Sequence, residues 1–256
     1  MKYWVASVAA GLALTSCGVI PGLGGGTGGT GGTTPAPVTS DVRVVNAIPD
    51  LKVTTDIVGA TVYVADVEKS TGPVMYGKFT DVIKVPVGDQ IVKVCAAGSI
   101  KCVESKITVV GGKSYTLVAT GTQDPADDTA TATAPARKAQ ILTLENDLAL
   151  PTGDNFKVRL VHAAPVVAAD KVDVYLTTTI DSALAGVPVQ LDYTKASAYF
   201  DFPAAAYQVR ATAQGAKTNV LIRTAAGVPF EKGKVYTAIA ANPAGAFEGV
   251  ILLTDK

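Results

Sequence analysis

One histidine, His162, occurs in the 256 residues. Any Ser–His–Asp or Cys–His arrangement would have to be built on it. Asp170 and Asp173 follow closely, but no G-x-S-x-G nucleophile motif stands in the chain. A lone imidazole at a strand end, without a supported partner, reads instead as a structural side chain whose ring nitrogen bonds a neighbouring loop carbonyl. Asn46 holds the matching place in an earlier, related stretch and carries a donor for the same task. Asp124, Asp127 and Asp128 bring three carboxylates into one loop. Ca²⁺ takes about six to eight oxygen ligands, and the spacing here lacks a calcium-loop pattern, so a solvated acidic turn is the better reading. The Gly24–Gly32 run precedes no strand–helix unit and is linker rather than a phosphate loop. These residues lead us to expect no catalytic group, no metal and no cofactor.

Two further residue sets remain. Cys95 and Cys102 flank a Gly-containing turn, Cys95-Ala-Ala-Gly-Ser-Ile-Lys-Cys102. A bridge there would join neighbouring strands across a hairpin if their Cα atoms lie within ~7 Å. Two free thiols or a metal pair are the rivals, the metal pair weakened because His162 is 60 positions further on. Tyr63, Tyr115, Tyr175, Tyr207 and Tyr236 recur at strand positions. Tyr115 and Tyr236 each follow a Gly-Lys pair by one residue and open apolar strands, which favours packing with the hydroxyl tied to the backbone. Tyr193 and Tyr199, in the irregular stretch 191–202, are the candidates for an exposed sugar- or peptide-binding contact.

Cys17 carries a different chemistry. It ends Leu14-Thr15-Ser16-Cys17 after an apolar run of 12 residues, Tyr3 to Leu14, with Lys2 as the only earlier charge. A spanning helix needs ~20 apolar residues and a signal-peptide core ~7–15. Residues 1–16 therefore read as a signal peptide and Cys17 as the lipidated residue of a lipobox, which implies membrane attachment. Gly18 rather than Asp follows Cys17, which favours the outer membrane if the cell has two. Residues 17–40 then form a tether, almost pure Gly and Thr from Gly24 to Thr34. Such a composition cannot bury apolar surface and is expected to be disordered.

The elements that must position these residues are strands. Lys and Arg balance Asp and Glu at 22 each, which argues against a nucleic-acid footprint and against a polybasic membrane patch. Val, Ala and Thr abound, and the 25 Gly and 14 Pro punctuate short runs. The chain also repeats itself. Val42-Arg-Val-Val-Asn-Ala-Ile-Pro49 returns as Val158-Arg-Leu-Val-His-Ala-Ala-Pro165, Ala60–Val64 as Val172–Leu176, Val85–Gly88 as Phe202–Ala205, and Gly112–Thr116 as Gly233–Thr237. The offset drifts from 112 to 121 residues, so loops changed length while strands kept their order. Alternation in Val92-Lys93-Val94 and Tyr207-Gln208-Val209-Arg210-Ala211 puts polar side chains on one face of a half-buried strand. Tyr115–Ala119 and Tyr236–Ala240 are continuously apolar, as central strands are. The expected fold is all-β: two tandem immunoglobulin-like β-sandwich domains, residues 41–150 and 154–256.

The opening V-R-V-V-H-A-x-P, the central Val-x-Val-Tyr strand and the closing G-K-x-Y-T resemble a bacterial domain of unknown function, DUF4397. The motifs stand at Val42–Pro49, Val62–Val64 and Gly112–Thr116, and again at Val158–Pro165, Val172–Leu176 and Gly233–Thr237. The second copy is the closer likeness because it keeps His162. The resemblance implies a β-sandwich and an envelope location, and supplies no activity or catalytic residue. We therefore expect a lipid-anchored, non-enzymatic protein of the bacterial cell envelope, attached through Cys17. Cell-wall glycan, polysaccharide or another envelope protein are the partners to consider. An envelope hydrolase using loop carboxylates and an envelope sensor are the alternatives.

Overall fold

The computed structural model describes residues 37–53, 56–123, 137–165, 170–242 and 249–256, with the side chains of 52, 53, 56 and 57 left aside. Cys17, the signal peptide and Asp124, Asp127 and Asp128 lie outside these residues. The described secondary structure is strand throughout, as the alternation and composition predict. The first repeat contains β1 (Thr39–Ala47), β2 (Lys52–Val53), β3 (Asp56–Ile57), β4 (Ala60–Val64), β5 (Val67–Glu68), β6 (Ile83–Pro86), β7 (Gly88–Ala96), β8 (Cys102–Val109), β9 (Ser114–Thr120) and β10 (Gln140–Glu145). The second contains β11 (Asn155–His162), β12 (Lys171–Thr177), β13 (Val189–Asp192), β14 (Ala196–Pro203), β15 (Ala205–Ala213), β16 (Val220–Arg223), β17 (Val228–Phe230), β18 (Val235–Ala240) and β19 (Val250–Thr254).

The repeats share one topology. The first has sheets ordered β10-β9-β1-β6 and β5-β4-β7-β8; the second has β19-β18-β11-β14 and β13-β12-β15-β16, with β17 also on β15. In each, the opening strand runs parallel to the penultimate one, β1 with β9 and β11 with β18. The two sheets of each repeat close on a core of their own. Val42, Val44, Leu117 and Ala119 meet Val62, Val92, Val94 and Ile107 in the first. Phe156, Val158 and Ala238 meet Val174, Val209 and Ile222 in the second. There Phe156 stacks on Phe230 at 4.5 Å between ring centroids.

A third core joins the repeats. Val45 and Ala47 of β1 and Val118 of β9 pack with Val161 and Ala163 at the end of β11, Ile239 and Ala241 at the end of β18, and Ile251 and Leu253 of β19. Side chains alternate along a strand, so β1 sends Val42 and Val44 into its own sandwich and Val45 and Ala47 into the seam. The order of layers is sheet, sheet, seam, sheet, sheet. This explains why β9 and β18 read as unbroken apolar runs: both of their faces are covered. Residues 37–256 form one compact unit.

Local chemistry follows the repeat with two departures. Tyr115 Oη accepts Val110 N–H at 3.1 Å and Tyr236 Oη accepts Glu231 N–H at 3.0 Å, so each hydroxyl is tied to the backbone as its Gly-Lys context suggests. In the first departure, β4 and β5 are joined by Ala65-Asp66 with φ 48° and 62°, a two-residue hairpin turn, whereas residues 178–188 join β12 and β13. That longer loop lies over the outer face of β15. Gln208 Oε1 accepts Asp181 N–H at 2.9 Å, and Arg210 donates to the Ser182 carbonyl at 2.7 Å. The alternation in 207–211 predicts a solvated polar face, yet Gln208 and Arg210 are buried, because an inserted loop supplies their hydrogen bonds. In the second, β1 begins at Thr39 and Ser40 is already buried, donating to the Val110 carbonyl at 2.7 Å. The folded part thus starts before the expected boundary at 41.

Cys95 and Cys102 face each other across the β7–β8 hairpin, with Sγ atoms bonded and Cα atoms 3.9 Å apart. The next pair toward the turn is hydrogen-bonded, Ala96 N–H to the Lys101 carbonyl at 3.0 Å. The cysteines therefore occupy the closer, non-hydrogen-bonded type of cross-strand position. The loop they close is short, so the bridge contributes about 2–3 kcal/mol at most.

Candidate functional site

The seam carries charge as well as apolar surface. Arg43 on β1 and Arg159 on β11 hold equivalent places in the repeated motif, and each points across to the other repeat. Arg43 Nη1 donates to the Thr254 carbonyl at 2.6 Å, and Arg159 Nη1 donates to the Glu145 carbonyl at 2.8 Å. Strand pairing makes Glu145 and Thr254 equivalent: Glu145 opposes Tyr115 on β9, and Thr254 opposes Tyr236 on β18. The contact is thus reciprocal, as in an isologous dimer, with both halves supplied by one chain.

The two sides differ in depth. Arg159 is 4% exposed. Its Nη2 donates to Asn146 Oδ1 at 2.7 Å and to Thr237 Oγ1 at 3.0 Å, and its guanidinium lies 4.8 Å from the centre of the Tyr199 ring. Thr237 passes the interaction on, donating to Asp255 Oδ2 at 2.6 Å. In the first repeat the equivalent pair is Thr116 with Asn146, at 3.1 Å. The first repeat therefore has a neutral amide where the second has a carboxylate. Asp255 Oδ1 and Arg159 Nε are buried without a hydrogen-bond partner among the described residues.

Burial raises the Asp255 carboxyl above its ordinary range, against the Thr237 hydrogen bond and the charges of Arg159 and Arg43. A carboxyl with a raised folded pKa binds more protons folded than unfolded, so its contribution to stability falls as pH rises from about 4 through the folded value. Asp255→Asn should make the protein slightly more stable than wild type at pH 7, and this advantage should shrink toward zero as the pH falls below about 4. Chemical denaturation of both proteins across that range checks it. An advantage that grew on acidification would mean that Arg159 stabilises the ionised form more than burial opposes it.

Beside these groups the surface opens into a concavity of ≈ 570 Å³, shared by the Lys113–Ser114 turn, the Glu145–Ala149 connector, Arg159, Ser197 and Tyr199. Lys113 and Glu145 form an ion pair at 2.6 Å on its rim, and Lys157 pairs with Asp147 at 3.2 Å. Two other concavities, ≈ 540 Å³ along residues 69–84 and ≈ 680 Å³ beside Ile100 and Cys102, belong to the first repeat alone.

Tyr199 thus stands, half-buried, at this concavity, whereas the exposure expected of Tyr193 is not found. Tyr193 is 6% exposed and meets the His162 ring edge-on, 5.7 Å between centroids. The reason is a turn shared by both repeats. Lys78 N–H bonds the Met75 carbonyl and Lys195 N–H the Asp192 carbonyl, while Asn46 and His162 accept on their carbonyls from Gly77 and Thr194. Tyr76 is thereby the counterpart of Tyr193, a repeated Tyr-x-Lys that the sequence reading passed over. Tyr76 donates to the Asn242 carbonyl across the seam at 2.5 Å, and burial pushes its hydroxyl far above the usual range.

Asn46 and His162 are fully buried and do equivalent work. Asn46 Oδ1 accepts Ile48 N–H at 3.1 Å, and His162 Nδ1 accepts Ala164 N–H at 3.4 Å. Asn46 Nδ2 also donates to the Val74 carbonyl at 2.9 Å. Each side chain fixes the chain reversal that follows the opening strand. Among the described residues no group of three or more His, Cys, Asp or Glu is placed to hold a metal ion.

The model of a domain of unknown function, DUF4397, matches residues 40–175, more than half of the chain. The chain belongs to the DUF4397 family. The DUF4397 match takes in the first repeat from Ser40, all of β11 and β12 as far as Tyr175. No curated protein matches the chain.

Proposed function

We propose that this DUF4397 protein is a lipid-anchored component of the bacterial cell envelope. In this reading its paired sandwiches have a non-enzymatic role, binding or structurally supporting an envelope partner. The observation that carries this reading is Leu14-Thr15-Ser16-Cys17 at the end of a 12-residue apolar run. A Gly/Thr-rich stretch follows it, and the compact unit begins at Pro37. The use made of the seam charges supports a role without bond-breaking chemistry. Arg159 spends Nη1 and Nη2 on Glu145 and Asn146 of the first repeat and on Thr237, which in turn donates to Asp255, so these groups are engaged in holding the seam.

Cys17→Ser is the direct test. The variant should move from the membrane fraction to the soluble fraction while keeping the wild-type melting temperature of its β-sheet signal. Stable anchoring takes more than one acyl chain, so loss of the thiol that carries them should be close to all-or-none. A variant that stays in the membrane fraction would overturn the anchor.

A further inference from the structure

We propose that the concavity at the seam binds a neutral, polyhydroxylated sugar unit, with Tyr199 as its stacking surface and the Lys113–Glu145 pair as its hydrogen-bonding rim. The assignment rests on the envelope-binding reading above and gives it a ligand class.

Four observations point the same way. The volume, ≈ 570 Å³, falls within the about 300–1,000 Å³ of small-ligand clefts. The charges around it cancel: Lys113 and Arg159 are offset by Glu145 and Asp147, so the site offers no net field to select an anion or a cation. Tyr199 supplies an aromatic face against which the C–H face of a pyranose packs, and its ring is held in place by Arg159 at 4.8 Å. The rim offers both a donor and an acceptor, Lys113 and Glu145. Sugar hydroxyls both donate and accept and carry no charge, which matches a mixed, neutral rim.

Among the described residues the site also exists once. Val82 takes the place of Tyr199 in the first repeat, because Val42 pairs with Ile83 as Val158 pairs with Phe200. The mirror position therefore lacks the aromatic surface, and its cavity is only ≈ 70 Å³.

The test titrates the full chain, purified in detergent, with cellotetraose, maltotetraose and chitotetraose, and with trigalacturonate as an acidic comparator. Saturation-transfer NMR and calorimetry provide the readouts. At least one neutral tetrasaccharide should bind, and Tyr199→Ala should weaken it about three- to tenfold while Tyr199→Phe retains it. Lys113→Ala, which removes only an exposed ion pair, should also weaken binding and leave the melting temperature within about 2 °C of wild type. The assignment fails if no neutral sugar binds by ~10 mM, if only trigalacturonate binds, or if both alanine variants bind as wild type does. Failure here with Cys17→Ser still releasing the protein would remove the ligand and leave the anchor intact.

Discussion

Arg159→Ala is expected to destabilise the protein by about 3–5 kcal/mol, the cost of removing one partner from a buried charged network. Its donors to the Glu145 carbonyl, Asn146 and Thr237 disappear together. Asp255, already short of a partner for Oδ1, loses a neighbouring positive charge. For a folded unit of this size the melting temperature should drop by roughly 10 °C or more. Arg43→Ala removes the equivalent bond on the other side of the seam, but from an exposed position, and should cost no more than about 1 kcal/mol. Thermal melts of the two variants side by side make the comparison. Equal losses would mean that the seam is energetically symmetric and that burial of Arg159 contributes little.

Gly121→Ala should be comparably damaging through the backbone. Gly121 follows β9 with φ +100°, and a methyl group there would collide with the Lys138 carbonyl oxygen and lie 2.6 Å from Ala139 Cα. Both obstacles are main chain, held by Thr122 N–H on the Arg137 carbonyl at 2.7 Å and Ala139 N–H on the Thr122 carbonyl at 2.9 Å. Relief requires moving the segment that leads into β10, so a loss of about 3 kcal/mol or more is expected. Gly112→Ala is the control. Its φ is +76°, but nothing lies within 4 Å of the added methyl, leaving only the left-handed backbone penalty of about 1 kcal/mol. Denaturant midpoints that ranked the two the other way round would remove the steric account.

Much of the fold was legible because strands announce themselves by alternation and the chain states its pattern twice. The motif pairs at Val42 and Val158, and at Gly112 and Gly233, place the parallel strands β1–β9 and β11–β18 in equivalent registers. The hairpin carrying Cys95 and Cys102, and the tied hydroxyls of Tyr115 and Tyr236, follow from local spacing. The seam was not legible in the same way. Its signal was present in Val45, Ala47, Val161 and Ala163, apolar residues on the strand face that a lone sandwich would leave in water. Each run is short, however, and Arg43 and Arg159 interrupt that face with a charge, so it reads as partly solvated. Tyr193 was misjudged for a related reason: an irregular stretch suggests exposure, and only the repeated turn at Tyr76 and Tyr193 reveals that it folds inward. The burial of Gln208 and Arg210 depends on residues 178–188, an insertion with no counterpart in the first copy to compare it with.

The placement of β1 has a mechanical consequence. The chain enters the folded unit at Pro37 and passes directly into β1, which has seven register pairs with β9. A pull on the N-terminal segment, resisted where the chain leaves the first repeat after Glu145, acts between two points at the same end of the sheet, because Asp41 pairs with Ser114 and Glu145 with Tyr115. The hydrogen bonds between β1 and β9 are then peeled one at a time from the Asp41 end, instead of being loaded together in shear. Rupture under such a load is governed by the unfolding barrier rather than by equilibrium stability. The strand at which the compact unit begins is thus the one from which an opening force would propagate.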